Sequence, residues 1–261
     1  NESGNYFSSW STEIGIYLLP SPVVTWNADL ELDGEANNNF IWNAVSGAGG
    51  YTVELEKDGA VSRENFPAAQ MAFGYAYAQV GVYKVRVKAV AEVGSDYYDS
   101  KFSKDIIVER LAAPQASGNS YIESDPTAVA SGFTVNYTAV SGATGYQLYK
   151  DGVALEGKLS TVTAITDSDV ADDSISAQQE YNYAVRSMGG VKTVAGSTYV
   201  YLPCLTTSAL AFKITVQAMP TDLTMSGYQA QWAAVSGNNG YAVKYGGAVQ
   251  NATAANIDLS T

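Results

Sequence analysis

The tetrapeptide Ala-Val-Ser-Gly occurs three times, at 44–47, 139–142 and 234–237, and each copy lies 95 residues from the next. An aromatic residue precedes each copy at the same distance (Trp42, Tyr137, Trp232), and a tyrosine follows each (Tyr51, Tyr146, Tyr241). Three copies in one phase make an internal repeat, and the repeat length bounds the architecture. Solenoids repeat every ~20–50 residues, whereas a whole β-sandwich domain takes about 100. The 261 residues therefore hold two or three small domains in tandem.

Within each period the pattern is strand and turn. Residues 52–57 (TVELEK) and 147–150 (QLYK) read as strands, and each runs into Lys-Asp-Gly, at 57–59 and 150–152. Asp-Gly between apolar alternations signals a two-residue hairpin, because both turn positions need positive φ. Residues 83–90 (YKVRVKAV) and 181–188 (YNYAVRSM) alternate with period two, which buries one face. Last strands are expected at about 103–109 and 192–202. No segment sustains a period of 3.6, so helices should be nearly absent.

Composition agrees with an all-β fold and removes several function classes. Tyrosine (19) outnumbers phenylalanine (7), and tyrosine, valine and threonine suit half-buried pleated surfaces. A net charge of −12, with 14 basic residues scattered among 26 acidic ones, argues against nucleic-acid binding. It also disfavours anionic lipid surfaces. The single cysteine, Cys204, has no internal disulfide partner and reads as a small buried hydrophobe at a strand end or domain junction. No apolar run approaches the ~20 residues that span a bilayer. The chain begins at Asn1 rather than Met and is expected to be a processed product or a fragment.

The aromatic residue before Ala-Val-Ser-Gly, the Gly-Tyr that follows, the hairpin and the Tyr-x-Val-x-Val-x-Ala strand together resemble the fibronectin type III domain, particularly its bacterial versions. The resemblance covers essentially the whole chain. It implies seven strands in two sheets, with Trp42, Tyr137 and Trp232 as core aromatics of the second strand. Tyr51, Tyr146 and Tyr241 would start the third strand. Tyr83 and Tyr181 would open the sixth as its buried tyrosines. In the first copy the fifth strand is hard to see around Ala69–Gln79, which leaves an immunoglobulin-like or polycystic-kidney-type sandwich open there.

The expected divisions are 21–112, 113–206 and an incomplete third sandwich at 207–261 that lacks its sixth and seventh strands. Residues 6–20 repeat the pattern of 98–114, aromatic-Ser, an acidic residue, Ile, alternation, then Pro. Residues 1–20 are therefore expected to be the last strand of a preceding domain in a longer array. The alternative is a donor strand that completes the third domain of a neighbouring chain, which requires residues 6–19 to pair with another chain.

The residues for chemistry are sparse. There is no histidine, which removes Ser-His and Cys-His pairs and histidine metal sites. Neither a phosphate loop nor a dinucleotide fingerprint is present. Asp167, Asp169, Asp172 and Asp173 are numerous enough to supply calcium ligands, but the favoured reading is a solvated turn capped by aspartates. Asp29, Glu31, Asp33 and Glu35 read as a solvated face. Asn1, Asn136 and Asn251 fit the N-glycosylation pattern, which carries little weight in a bacterial protein. Tyr97, Tyr98, Tyr199 and Tyr201 offer a stacking surface for carbohydrate or protein, with plain cover of the outer sheet the favoured reading. No catalytic, cofactor or metal residues are therefore assigned.

The function expected is a non-catalytic spacer array of an extracellular or cell-surface protein, as in a fibre, filament or adhesin stalk. Alternatives are a carbohydrate- or protein-binding accessory module and a phage tail or capsid appendage. The partners expected are neighbouring domains of the same or an adjacent chain, self-assembly into a filament, and carbohydrate or a surface protein.

Overall fold

A computed structural model describes residues 9–12, 15–27, 38–117, 133–168 and 179–260. Almost all regular structure is β. The one helical element among the described residues is a 3-10 turn at Thr206–Ser208.

The first unit carries β1 (Tyr17–Leu18), β2 (Val24–Trp26), β3 (Asn38–Trp42), β4 (Ala48–Lys57), β5 (Ala60–Pro67), β6 (Ala72–Tyr75), β7 (Gly81–Ala91), β8 (Tyr97–Tyr98) and β9 (Ile106–Arg110). Strands β2-β3-β6 form one sheet, and β5-β4-β7-β9 form the facing one. Those seven strands are a fibronectin type III-like sandwich. The fifth strand, hard to see in the sequence, is β6. It is short, and its Phe73 joins Phe40, Tyr77 and Tyr83 in an aromatic core.

The reasons for these elements are local. Asp58 and Gly59 adopt φ of 52° and 80°, the left-handed pair that closes β4 onto β5 with Lys57 opposite Ala60. Along β7, Tyr83, Val85, Val87 and Ala89 point into the core. Lys84, Arg86 and Lys88 between them face outward and pair with Glu56, Glu54 and Asp99. Glu54 is itself buried beneath Arg63 and Arg86. Burial raises its carboxyl, but hydrogen bonds from the two guanidinium groups outweigh this and hold it below the ordinary carboxylate value.

The second unit has β10 (Phe133–Asn136), β11 (Gly145–Lys150), β12 (Val153–Ser160), β13 (Ala164–Asp167), β14 (Gln179–Met188), β15 (Gly190–Val194), β16 (Ser197–Leu202) and β17 (Leu210–Val216). Its main sheet runs β12-β11-β14-β17, and β10 pairs with β13. Asp151 and Gly152 repeat the left-handed turn of the first unit. Two expectations need correction. The buried tyrosine of β14 is Tyr183, 2% exposed, whereas Tyr181 is half-buried and lies under the Lys150 ammonium at 4.2 Å. A slip of two residues keeps the same face, so alternation alone does not separate them. The second correction concerns residues 192–202, expected as the last strand of this unit. That strand is β17, and its pairing with β14 from Gln179–Val216 to Val185–Leu210 carries the second sandwich past residue 206.

The third region holds β18 (Thr224–Ser226), β19 (Gln229–Gln231), β20 (Tyr241–Tyr245), β21 (Ala248–Ala252) and β22 (Asn256–Asp258). Strands β18-β19-β22 form one sheet, and β20 pairs with β21 through a Gly246-Gly247 turn. At the other end, β1 pairs in parallel with β8 of its own chain. That finding overturns the donor-strand expectation for this stretch, which required it to pair with another chain.

Candidate interdomain docking site

The repeated tetrapeptide acts through its valine amide and its glycine. In all three copies the tyrosine hydroxyl six positions on accepts a hydrogen bond from the valine N–H. These are Tyr51 with Val45 at 2.9 Å, Tyr146 with Val140 at 2.7 Å and Tyr241 with Val235 at 2.9 Å. The same tyrosines lie against Trp42, Tyr137 and Trp232, with ring centroids 5.5, 4.6 and 5.1 Å apart. The turn is thus locked to the core aromatic by one hydroxyl. The glycines Gly47, Gly142 and Gly237 sit at φ of 85°, 81° and 81°, where a side chain is strained.

Two of these glycines also receive a tyrosine from the segment linking β7 to β9 or β14 to β17. In the second unit that link is the hairpin β15–β16, turned by Ala195 and Gly196 at φ of 50° and 76°. The hairpin does not stay with its own sandwich. Strand β16 lies parallel to β9 of the first unit from Thr198–Ile106 to Leu202–Arg110, making a six-stranded sheet across the junction. Val200 and Leu202 are both 0% exposed and belong to the hydrophobic core of the first unit. The ring of Tyr201, on the opposite side, covers Gly142 so closely that a Cβ there would lie 2.4 Å from it.

Polar groups fasten the same junction. Leu111 N–H donates to the Leu202 carbonyl at 3.0 Å. Buried Arg110 donates to the Tyr77 carbonyl at 2.6 Å and to the Pro203 carbonyl at 2.9 Å, bridging the two units. Arg186 donates twice to the Cys204 carbonyl, and the Ser187 hydroxyl donates to the Ala112 carbonyl at 2.7 Å. Cys204 is fully buried at this junction. Opposite Tyr201 in the β9–β16 pairing, burial raises the carboxyl of Glu109 above its ordinary value, an effect that Lys192 partly offsets.

The contact of β1 with β8 repeats the arrangement on a smaller scale. Leu19 N–H donates to the Tyr98 carbonyl at 3.0 Å, as Leu111 does to Leu202. A Cβ on Gly47 would lie 3.1 Å from the Tyr97 ring and 3.3 Å from Leu19, and one on Gly142 3.2 Å from Leu111. Leu19 and Leu111 each stand three residues before a proline, Pro22 and Pro114. That spacing, with the tetrapeptide glycine, is the signal that sequence reading did not use.

The other residues singled out have structural surroundings. Asp167 is fully buried and accepts the Tyr183 hydroxyl at 2.7 Å, with Lys150 at 3.5 Å, rather than lying in a solvated turn. Burial, with the Asp167 carboxylate beside it, raises the Tyr183 hydroxyl well above its ordinary value. Asp29, Glu31, Asp33, Glu35, Asp169, Asp172, Asp173 and Asn1 lie outside the described residues. Among the described residues no cluster of three or more His, Cys, Asp or Glu side chains is placed to hold a metal ion. Asn136 is half-buried in β10, and Asn251 is exposed in β21. Tyr97 and Tyr201 contact the turn glycines, whereas Tyr98 stands 60% exposed.

No protein-family model matches the chain, and no curated protein matches it. Solved structures similar to it include the central fibronectin-III array of RIM-binding protein, at 14% identity and a TM-score of 0.27, covering 94% of this chain and 87% of that one. The FN1–FN3 domains of chicken CNTN1 are similar at 12% identity and a TM-score of 0.27, covering 93% and 88%.

Proposed function

We propose that the chain is a non-catalytic structural array whose sandwiches are held end to end by strand addition, serving as a stiff spacer in an extracellular or cell-surface protein of a bacterium or archaeon. The observation that carries this reading is the burial of Val200 and Leu202, from the second unit, in the core of the first. A flexible tether joins domains without sharing a core, whereas here bending the junction would expose two apolar side chains and strip β9 of its neighbour. Such a unit suits a fibre or adhesin stalk. An accessory module for carbohydrate or protein would draw on the exposed tyrosines, and two of these, Tyr97 and Tyr201, already lie on turn glycines. The absence of histidine and of disulfide pairing suits an inert surface scaffold. Residual dipolar couplings measured on the first two units provide the test. One shared alignment tensor is expected, and separate tensors for the two sandwiches would overturn the reading.

A further inference from the structure

Lys57 and Lys150 end the equivalent strands β4 and β11, and each is followed by Asp-Gly. Lys57 turns to the next residue, with its ammonium 2.8 Å from the Asp58 carboxylate. Lys150 does not take the corresponding partner. Asp151 instead accepts the Asn182 backbone N–H at 2.9 Å and the Asn182 side-chain amide at 3.2 Å. The Lys150 side chain lies over the ring of Tyr181, and its ammonium stands 3.5 Å from Oδ2 of Asp167. The Tyr183 hydroxyl donates to that same oxygen at 2.7 Å. The first unit has no counterpart of this carboxyl. Asp167 stands two residues beyond core Ile165 in β13, at the register position where β6 has Tyr75 beyond Phe73. The Lys150 side chain is 18% exposed and that of Asp167 0%. A primary amine is thus held against a carboxyl group at a place almost closed to water.

We propose that Lys150 and Asp167 are a self-modification site, at which the folded chain joins Nζ to Cγ in an amide and releases one water. The bond ties β11 of the four-stranded sheet to β13 of the facing pair, within one unit and independently of how the units meet. A proton passes from the Lys150 ammonium to Oδ2, which leaves a neutral amine beside a carboxylic acid. The nitrogen lone pair attacks Cγ, and the π electron pair moves to Oδ1. A second proton then passes from nitrogen to Oδ2. Oδ1 re-forms its double bond, the Cγ–Oδ2 bond breaks, and Oδ2 departs as water with its two protons. No oxidant, reductant or further reactant enters. Two features of the site favour the step. Fixing amine and carboxyl in contact makes the attack unimolecular. Condensation also removes two charges whose burial is costly. The Tyr183 hydroxyl already lies on the leaving oxygen and stabilises it as it gathers its protons.

The test is the intact mass of the whole unaltered chain, measured after denaturation, so it does not depend on a variant folding. The mass is expected to fall one water short of the sum of its residues. Trypsin should leave the chain uncut after Lys150, and fragmentation should find one branched peptide joining Lys150 to Asp167. Lys150→Arg and Asp167→Ala should each restore the full mass. Tyr183→Phe keeps the ring and removes only the hydroxyl. Followed from synthesis, it should slow the appearance of the lighter species at least tenfold. Full mass in the unaltered chain, with cleavage after Lys150, overturns the proposal and leaves a buried ion pair. A missing water that persists in Asp167→Ala overturns it as well, because the loss then belongs elsewhere. A rate unchanged by Tyr183→Phe overturns the part given to the hydroxyl.

Discussion

The junction between the first two units and the contact of β1 with β8 use one device at different depths. Between the units, β16 contributes five residue pairs to β9 and places Val200 and Leu202 in a foreign core. At β1 two pairs are seen among the described residues, Tyr17–Tyr97 and Leu18–Tyr98, and β8 itself is exposed. The glycine, the leucine and the covering tyrosine are common to both. The difference is the length and apolar alternation of the incoming strand. The two-residue β8 buries neither of its side chains, whereas the five-residue pairing of β16, with two side chains in the core of the first unit, ties one unit to the other.

The largest effect expected is therefore a cross-unit one. Leu202→Ala lies in the second unit but should destabilise the first by about 3 kcal/mol, the cost of emptying a core leucine site. Denaturant unfolding followed by Trp26 and Trp42 fluorescence checks this, and Tyr98→Ala at the shallower junction should move the same transition by under ~1 kcal/mol. If the two changes act equally, the depth comparison fails. Next in size, Arg110→Met leaves the Tyr77 and Pro203 carbonyls buried without their guanidinium. A loss of about 2 kcal/mol is expected in the same assay.

A pH dependence sharpens the contrast further. Burial raises the Glu109 carboxyl, so the folded junction favours its protonated form. Its contribution is fully present below the ordinary glutamate value and is lost as pH rises through the raised one. Glu109→Gln should remove that part of the slope and raise Tm slightly at neutral pH. The β1–β8 contact has Tyr17 at the corresponding place, two residues before Leu19, with no carboxyl there to give such a slope. The smallest effect belongs to the hairpin turn. Ala195 holds a left-handed φ of 50°, and Ala195→Asn should relieve about 1 kcal/mol of strain, seen as slower exchange of β16 amides.

Much of the sandwich was legible from residues alone because its signals are local. The Asp-Gly turns fixed two hairpins, and the alternation from Tyr83 to Ala89 fixed the core face of β7. The 95-residue phase of Ala-Val-Ser-Gly marked the repeat, but not why its glycine is needed. That reason lies in a tyrosine of the same unit, Tyr97 or Tyr201, a contact of high sequence separation. The stretch 192–202 shows the limit most clearly. Its Tyr199, Val200, Tyr201 and Leu202 alternate as an edge strand should, and alternation reports which face is buried without saying which sheet supplies the neighbour. The buried tyrosine of β14 was misplaced by two residues for a related reason, since Tyr181 and Tyr183 share a face. Asp167 looked like one member of an acidic turn, and only the fold places it under Tyr183 in the core.

Hydrogen exchange at the Glu109 and Leu111 amides, compared with those of β7 inside the same sheet, tests most directly whether β16 completes the first unit. Both are expected to exchange as slowly as interior amides of β7, with Leu202→Ala releasing them. Exchange of Leu111 at the rate of an open sheet edge in the unaltered chain would contradict it.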